Sequence, residues 1–288
     1  RRHNAAYCDQ CFLRHFQEQV ARAIGHESMF TREDRVLVAV SGGKDSLALW
    51  DVLHRLGYHA SGLYLDLGIE GYSSASRERV QSFAAERGLE LIVVDYLERF
   101  GVGVDQIYRK TGRSPCSACG LSKRHYFNLV AYERGFRVVA TGHNLDDEAA
   151  TLLGNMLHWK AGYLARQSPV LESTHPRLVK KVKPLYRLAE RETAAYAVLR
   201  GIDYVVDECP LAKGARSLLY KEILNRLEEE SPGAKHNFLF GFLERGRSAF
   251  LSAEEPADLR ECEVCGQPTT LPVCAFCRMV ERVTPRPG

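Results

Sequence analysis

The chain has 288 residues, room for one large domain with small appendages. With 45% hydrophobic and 26% charged residues it has the composition of a soluble globular protein; no apolar run approaches a membrane span and no signal peptide is visible. A net charge of +3 does not by itself indicate a nucleic-acid partner, so any RNA surface must come from local clusters of Lys and Arg.

In chain order, residues 1–34 read as charged and helical and carry the pair Cys8 and Cys11. Arg35–Val40 (RVLVAV) is a short β-branched apolar run and predicts a buried strand. Residues 45–56 place Leu47, Leu49, Trp50, Leu53 and Leu56 at helical spacing. Residues 60–65 predict a second strand, 74–87 a helix stopped at Gly88, and 89–94 a third strand. A helix over 123–133, a fourth strand over 137–140 and a helix over 146–157 follow. Residues 162–183 have no clear period and read as a loop or a mobile flap. Further helices are expected over 189–200, 216–230 and 234–247, with 202–206 a candidate strand. Such alternation predicts an α/β fold: a doubly wound, mostly parallel sheet covered on both faces, with ligands at the carboxyl ends of the strands. The expected divisions are 1–34, 35–255 and 256–288, the last rich in cysteine and proline.

The nine cysteines fall as four C-x-x-C pairs and the single Cys209. In a long chain without a signal peptide that pattern points to metal rather than to a disulfide framework, hence a reducing, cytoplasmic setting. Cys262-x2-Cys265 and Cys274-x2-Cys277 together form a zinc-ribbon signature, a closed S4 site with a structural role. Cys8 and Cys11 read as half of another finger, with the missing half upstream of Arg1; His3 and His15 are weaker substitute ligands.

Ser41-Gly42-Gly43-Lys44-Asp45-Ser46 follows the first strand and opens a helix. Its glycines let the backbone turn tightly beside a ligand, and the helix start favours an anion. Lys44 adds positive charge and the serines add hydroxyl donors, while Asp45 either caps the helix or holds Mg2+. The pattern is neither Walker A nor G-x-G-x-x-G. Thr141-Gly142-His143-Asn144-Leu145-Asp146-Asp147 follows the fourth strand, so it should lie on the same sheet edge. There Gly142 permits close approach, one aspartate caps the helix, and the other, Asp147, acts on substrate or metal.

Cys116, Cys119 and Cys209 form a trio drawn from distant segments. Spacing alone leaves two readings open: an iron–sulfur cluster with one iron free of protein, or a catalytic disulfide or persulfide. Lys123 either faces phosphate or is a solvated helix lysine. Basic groups at Arg109, Lys110 and Arg113, at Lys180, Lys181, Lys183, Arg187 and Arg191, and at Lys213, Arg216 and Lys221 either track a phosphate backbone or are solvated faces.

The SGGKDS loop resembles the pyrophosphate loop of the N-type ATP pyrophosphatases, whose members cleave ATP to AMP and pyrophosphate and pass the adenylate to an acceptor. With the Cys trio and the terminal cysteine modules, the whole chain resembles the tRNA 2-thiouridine synthetases. GHNLDDEAATLLGN and CSACGLSKR resemble the type that thiolates 5-methyluridine 54 of the T-loop more than the wobble-uridine type; the cytidine-thiolating type lacks the zinc ribbons. The chain departs from the pattern at its N-terminus, where Cys11 stands at a frequent His position.

The resemblance implies an ATP site of Ala39, Ser41, Gly42, Gly43, Lys44, Asp45, Ser46, Lys123, Gly142 and Asp147. It implies catalytic roles for Cys116, Cys119, Cys209, Asp45, Lys123 and Asp147, with a 4Fe-4S cluster on the three cysteines. It further implies Mg2+ and Zn2+, tRNA as substrate, a thiocarboxylated ubiquitin-like sulfur donor and a homodimer. The implied chemistry is adenylation of the uridine C2 oxygen followed by displacement of AMP by sulfur. Rivals are another adenylating ligase of the same fold, or a non-catalytic zinc-finger RNA-binding protein.

Overall fold

The computed structural model describes residues 6–207, 209–212, 214–253 and 258–283. Helix α1 (Asp9–His26) leads into β1 (Arg35–Val40), α2 (Lys44–Arg55), β2 (His59–Asp66), α3 (Tyr72–Arg87) and β3 (Leu91–Asp95). Two short helices, α4 (Tyr96–Phe100) and α5 (Val104–Thr111), precede the long α6 (Pro115–Glu133), β4 (Val138–Thr141) and α7 (Leu145–Leu157). Next come α8 (Ala161–Ala165), β5 (Val170–Leu171), β6 (Lys180–Val182), α9 (Glu190–Leu199), α10 (Arg216–Glu230) and α11 (Ala234–Gly241). A small module with β7 (Arg260–Glu261), β8 (Pro268–Thr269) and α12 (Ala275–Glu281) follows. Among the described residues no helix is long and apolar enough to cross a membrane.

The six-stranded sheet has the order β3-β2-β1-β4-β6-β5. All its pairings are parallel except β5 with β6. Strand alternation divides the apolar residues between two cores. Val36, Val38 and Val40 join α1, α2 and α9 on one face, while Leu37, Leu63 and Val139 join α5, α6 and α12 on the other. Burial on both faces is why the strands read as continuous apolar runs. The chain leaves β1 in one direction to β2 and later returns on the other side to β4, so the switch point lies between β1 and β4, where open α/β sheets bind ligands.

Four expectations need correction. The helix expected over 123–133 begins at Pro115: Ser114 caps it, accepting from the Ser117 amide at 3.4 Å, and proline suits the first helical position. Both Cys116 and Cys119 therefore sit on α6. Residues 162–183 contain α8, β5 and β6; Val182 is buried in the core, and its strand is too short to show a period. Residues 202–206 form no strand; they cross the phosphate loop, where the Val205 amide donates to the Gly42 carbonyl at 2.9 Å. The helix expected over 234–247 ends as α-helix at Gly241, continues as a π turn over Phe242–Gly246 and tightens to 3-10 over Arg247–Ala253.

The N-terminal helix is part of the main core rather than an arm. Phe16, Val20, Ala23 and Ile24 are buried, and Phe16 stacks on Tyr196 of α9 at 4.1 Å.

Candidate active site

The phosphate loop turns because Gly42 adopts φ 79°, which L side chains rarely adopt. A Cβ there would also lie 2.9 Å from Ser76. Ser46, in the first turn of α2, ties the loop to itself: its hydroxyl accepts from the Ser41 amide at 3.1 Å and donates to the Gly43 carbonyl at 3.0 Å. The first amides of α2 lack intrahelical partners and face an anion's natural position.

The loop after β4 packs directly on this one. A Cβ at Gly142 would come within 2.9 Å of the Asp45–Ser46 backbone, so close contact between the two loops requires glycine. Asn144 joins them. Its side-chain oxygen caps α7 by accepting from the Asp146 and Asp147 amides at 3.0 and 3.1 Å, while its amide group donates to Asp45 at 3.2 Å. The cap on α7 is thus Asn144, with Asp147 returning a bond to the Asn144 amide at 3.0 Å as the other half of a capping box. The expectation that one of the two aspartates supplies the cap misses Asn144. Asp45 caps nothing: its oxygens go to Asn144, the Thr193 hydroxyl and Lys44.

A chain of charges closes one side of the site. Lys44 lies 3.1 Å from Asp45 and 2.6 Å from Glu190; Lys221 lies 3.1 Å from Glu190 and 2.6 Å from Asp147. Burial alone would lower the pKa of both lysines, but the carboxylates beside them outweigh it and raise both. Burial would likewise raise Glu190, yet Lys44 and Lys221 hold it low. Asp146 is structural: it is buried, paired with Lys235, and accepts the Glu190 amide at 2.8 Å, which fixes the start of α9.

A cavity of about 370 Å³ opens at these loops. It gathers Ala39, Ser41, Asp45, Ser46, Gly142 and Asp147 with Lys123, Cys119 and Cys209. Gly42, Gly43 and Lys44 lie in the adjoining turn rather than in the cavity lining. Cys116 is exposed outside the lining, yet its thiol is 3.8 Å from the carbonyl oxygen of Leu211, in the Pro210–Ala212 turn that follows Cys209. The three cysteines thus converge from α6 and this turn. Burial pushes the Cys119 thiol up, Lys123 opposes this, and the neighbouring Cys209 and Cys116 add to it. Crowded thiols of this kind deprotonate readily only when a cation joins them.

The four C-terminal thiols lie within 4.8 Å of one another and could hold one metal ion. Cys265 and Cys274 sulfurs are 3.8 Å apart. That matches the edge of a tetrahedron with Zn–S bonds of about 2.3 Å. Cys262 accepts the Cys274 amide at 3.2 Å and Cys274 the Cys277 amide at 3.4 Å, as ligating thiolates do. The module docks on α6: Phe276 stacks on His125, and Asn128 donates to Gln267 at 2.5 Å. Cys8 and Cys11 are exposed at the start of α1. Nearby His15 stacks on Tyr7 at 4.8 Å, whereas His3 lies outside the described residues.

The bridging role of Asn144 and the presence of Glu190 and Thr193 at the site are not marked by any sequence motif. Glu190 looks like one acid in an alternating-charge helix start, and Lys221 like one member of a basic group; only the fold brings them to the site.

A glycine-rich anion loop at a sheet switch point, with an acidic second loop packed on it, defines a PP-loop nucleotide-binding protein. The chain matches the PP-loop domain family over residues 12–227. It is 59% identical over 278 residues to the tRNA-5-methyluridine(54) 2-sulfurtransferase of Thermus thermophilus, covering 96% of this chain and 86% of that one. The protein of the same name from Pyrococcus horikoshii is 44% identical over 271 residues, covering 94% of this chain and 86% of the relative. Among solved structures, the U34-tRNA thiolase NcsA from Methanococcus maripaludis with its 4Fe-4S cluster matches with a TM-score of 0.80 at 26% identity, covering 98% of this chain and 91% of that one. The chain belongs to the PP-loop family and, within it, to the tRNA 2-sulfurtransferases.

Proposed function

We propose that the chain 2-thiolates uridine 54, or its 5-methyl form, in the T-loop of tRNA. The observation that carries the reading is that Cys119, Cys209 and Lys123 line the same cavity as the phosphate loop. ATP lies with its phosphates on the loop amides, Lys44 and Lys123, and with Mg2+ on Asp45 or Asp147. The uridine C2 oxygen attacks the α-phosphorus and pyrophosphate leaves. A sulfur nucleophile then adds at C2 and AMP departs with the original oxygen, so C2 ends as a thiocarbonyl. Lys44 and Lys123 offset charge on the leaving groups, and the Asp45–Asn144 bond keeps the two loops in register for in-line attack.

Cys116, Cys119 and Cys209 fit a 4Fe-4S cluster as thiolate donors and, being three, would leave one iron open to exogenous sulfur. The donor we infer is a ubiquitin-like protein with a C-terminal thiocarboxylate, whose C–S bond is hydrolysed by water as the sulfide is handed on, leaving the donor with an ordinary carboxylate. Segment 256–288 serves as a terminal module holding Zn2+ beside a catalytic domain of 35–255, onto whose core α1 packs, and Cys8 with Cys11 at the start of that helix supply half of a further site. The enzyme works as a cytoplasmic homodimer, where reducing conditions keep its thiols free to bind metal.

The test is anaerobic reconstitution with tRNA, ATP and sulfide, followed by mass spectrometry of position-mapped nucleosides. Brown protein that forms 2-thiouridine at 54, with loss of product in Cys119→Ser and Cys209→Ser, is the expected result. The likeness to a U34 thiolase favours one second reading, wobble-position thiolation, and sulfur at 34 instead of 54 would select it. Colourless protein that still thiolates would refute the cluster. Lys44→Ala or Asp45→Ala should abolish product while tRNA binding survives; persistent product would refute adenylation at this loop.

A further inference from the structure

Helix α7 starts at the cavity with Asp147 in its first turn and, at 1.5 Å per residue, ends about 20 Å away. Where it ends, the surface changes character. The chain has two tryptophans. Trp50 is fully buried in the core, whereas Trp159 is 77% exposed. Trp159 also has φ 47°, the left-handed region that bulky residues avoid. Four residues on, Tyr163 is 60% exposed. Its ring is flanked by cations, with Lys160 Nζ 5.7 Å and the Arg166 guanidinium 5.4 Å from the centroid. The His158 ring, 3.5 Å from Arg216, brings a guanidinium of α10 to the same rim.

The mount beneath is fixed. Leu164 and Ala165 are buried, and the Arg247 guanidinium donates to the Ala165 carbonyl at 2.8 Å. The Trp159 and Lys160 amides donate back to Met156 and Asn155 at 3.1 and 3.0 Å. Two large aromatic side chains are therefore exposed on an ordered backbone, with cations over the Tyr163 ring and a guanidinium at the rim beside Trp159. That combination suits a polyanion with unstacked bases: the rings receive the bases and the cations meet the phosphates.

We propose that Trp159 and Tyr163 form a stacking platform for unpaired bases of the bound tRNA. The platform rests on the reading that this chain binds tRNA. It would grip bases released when the target loop opens, about one α7 length from the chemistry, and lower the cost of exposing the uridine. Stacking is worth about 1–3 kcal/mol per base, which converts to a loss of roughly 5- to 160-fold in affinity on truncation.

The test compares wild type with Trp159→Ala, Trp159→Phe and Tyr163→Ala, using unmodified tRNA transcript and a blunt RNA duplex of similar length. Melting temperature and ATP binding serve as controls, since both side chains are exposed and outside the cavity. The expected result is a roughly 5- to 160-fold weaker tRNA affinity for Trp159→Ala, near-wild-type affinity for Trp159→Phe, and quenching of the exposed tryptophan's emission by tRNA but not by duplex. Unchanged affinity and unquenched Trp159 emission in a wild type that binds tRNA would overturn the platform and leave the thiolation reading standing. A change of oligomeric state in Trp159→Ala with tRNA affinity intact would overturn it in favour of a contact between copies. Failure of wild type to bind tRNA at all would overturn the thiolation reading itself.

Discussion

Lys221 reaches from α10 to Asp147 on the first turn of α7, with Nζ 2.6 Å from the carboxylate. The same ammonium holds Glu190 at 3.1 Å, and Glu190 in turn holds Lys44 at 2.6 Å. One lysine thus links a helix that follows the cysteine trio to both loops of the nucleotide site. Its raised pKa means that the link stays charged across the physiological range.

Lys221→Met is expected to cut ATP-dependent pyrophosphate release by roughly 100-fold in kcat/KM, the scale of loss that follows when a reacting geometry slips by about 1 Å. Lys221→Arg, which keeps the charge, should retain more activity than Met. A Met variant with wild-type pyrophosphate release would show that the link is ornamental to the chemistry.

Asn144 gives a separable prediction. It caps α7 and reaches Asp45 with the other end of its amide. Asn144→Ala removes the two capping bonds and the bond to Asp45. Loss of the cap should lower stability by about 1 kcal/mol in chemical denaturation. Loss of the Asp45 bond should lower turnover well beyond what that destabilisation accounts for. Asn144→Ser keeps a capping acceptor but is too short to reach Asp45, so it should restore stability without restoring turnover.

The framework was legible because its signals are local. Arg35–Val40 is a strand at its expected limits, and Gly88 ends α3 in the left-handed conformation as a stop signal should. The two loops at the switch point follow from their glycines and from where they sit in the strand order. Residues 180–182 were not legible, since three residues, two of them lysines, carry no period. Ser114 and Pro115 mark the start of α6, but residues 116–122 carry no apolar period that would join them to the helix expected from 123. Glu190 and Thr193 reach the site only through α9 folding back on α2, and nothing within a short window of sequence encodes that return. The docking of the C-terminal module on α6 is a tertiary fact of the same kind.

That docking carries a pH dependence. His125 stacks on Phe276 with 3.9 Å between ring centroids and 12° between planes. Burial lowers the His125 pKa from 6.5 to about 4. Between those values the unfolded chain binds a proton that the folded chain excludes, so stability is whole above pH 6.5 and falls as pH drops toward about 4. The loss from this group is at most about 3 kcal/mol. His125→Phe keeps a ring against Phe276 and removes the proton, so its denaturation midpoint should vary less across pH 4 to 6.5 than that of wild type. Equal slopes for the two proteins would mean that the stack does not exclude the proton.

A buried carboxylate, by contrast, holds helices together through three guanidinium groups. Asp51 on α2 is 1% exposed. It accepts from Arg55, Arg87 and Arg200 at 3.0, 3.1 and 3.2 Å and from the Tyr196 hydroxyl at 2.8 Å. It thereby ties α2 to α3 and α9, the elements that carry the phosphate loop and Glu190. Asp51→Ala leaves three guanidinium groups around the vacated position, with only the exposed Glu86 still paired to Arg87, and breaking a buried pair in this way costs about 3–5 kcal/mol. Asp51→Asn keeps a hydrogen-bond acceptor and should recover part of that loss. Since Asp51 does not line the cavity, ATP affinity of the folded fraction should be close to wild type in both variants. Guanidinium titration read together with ATP binding separates the two effects, and a large fall in affinity without a shift in midpoint would mean that Asp51 acts on the site rather than on the fold.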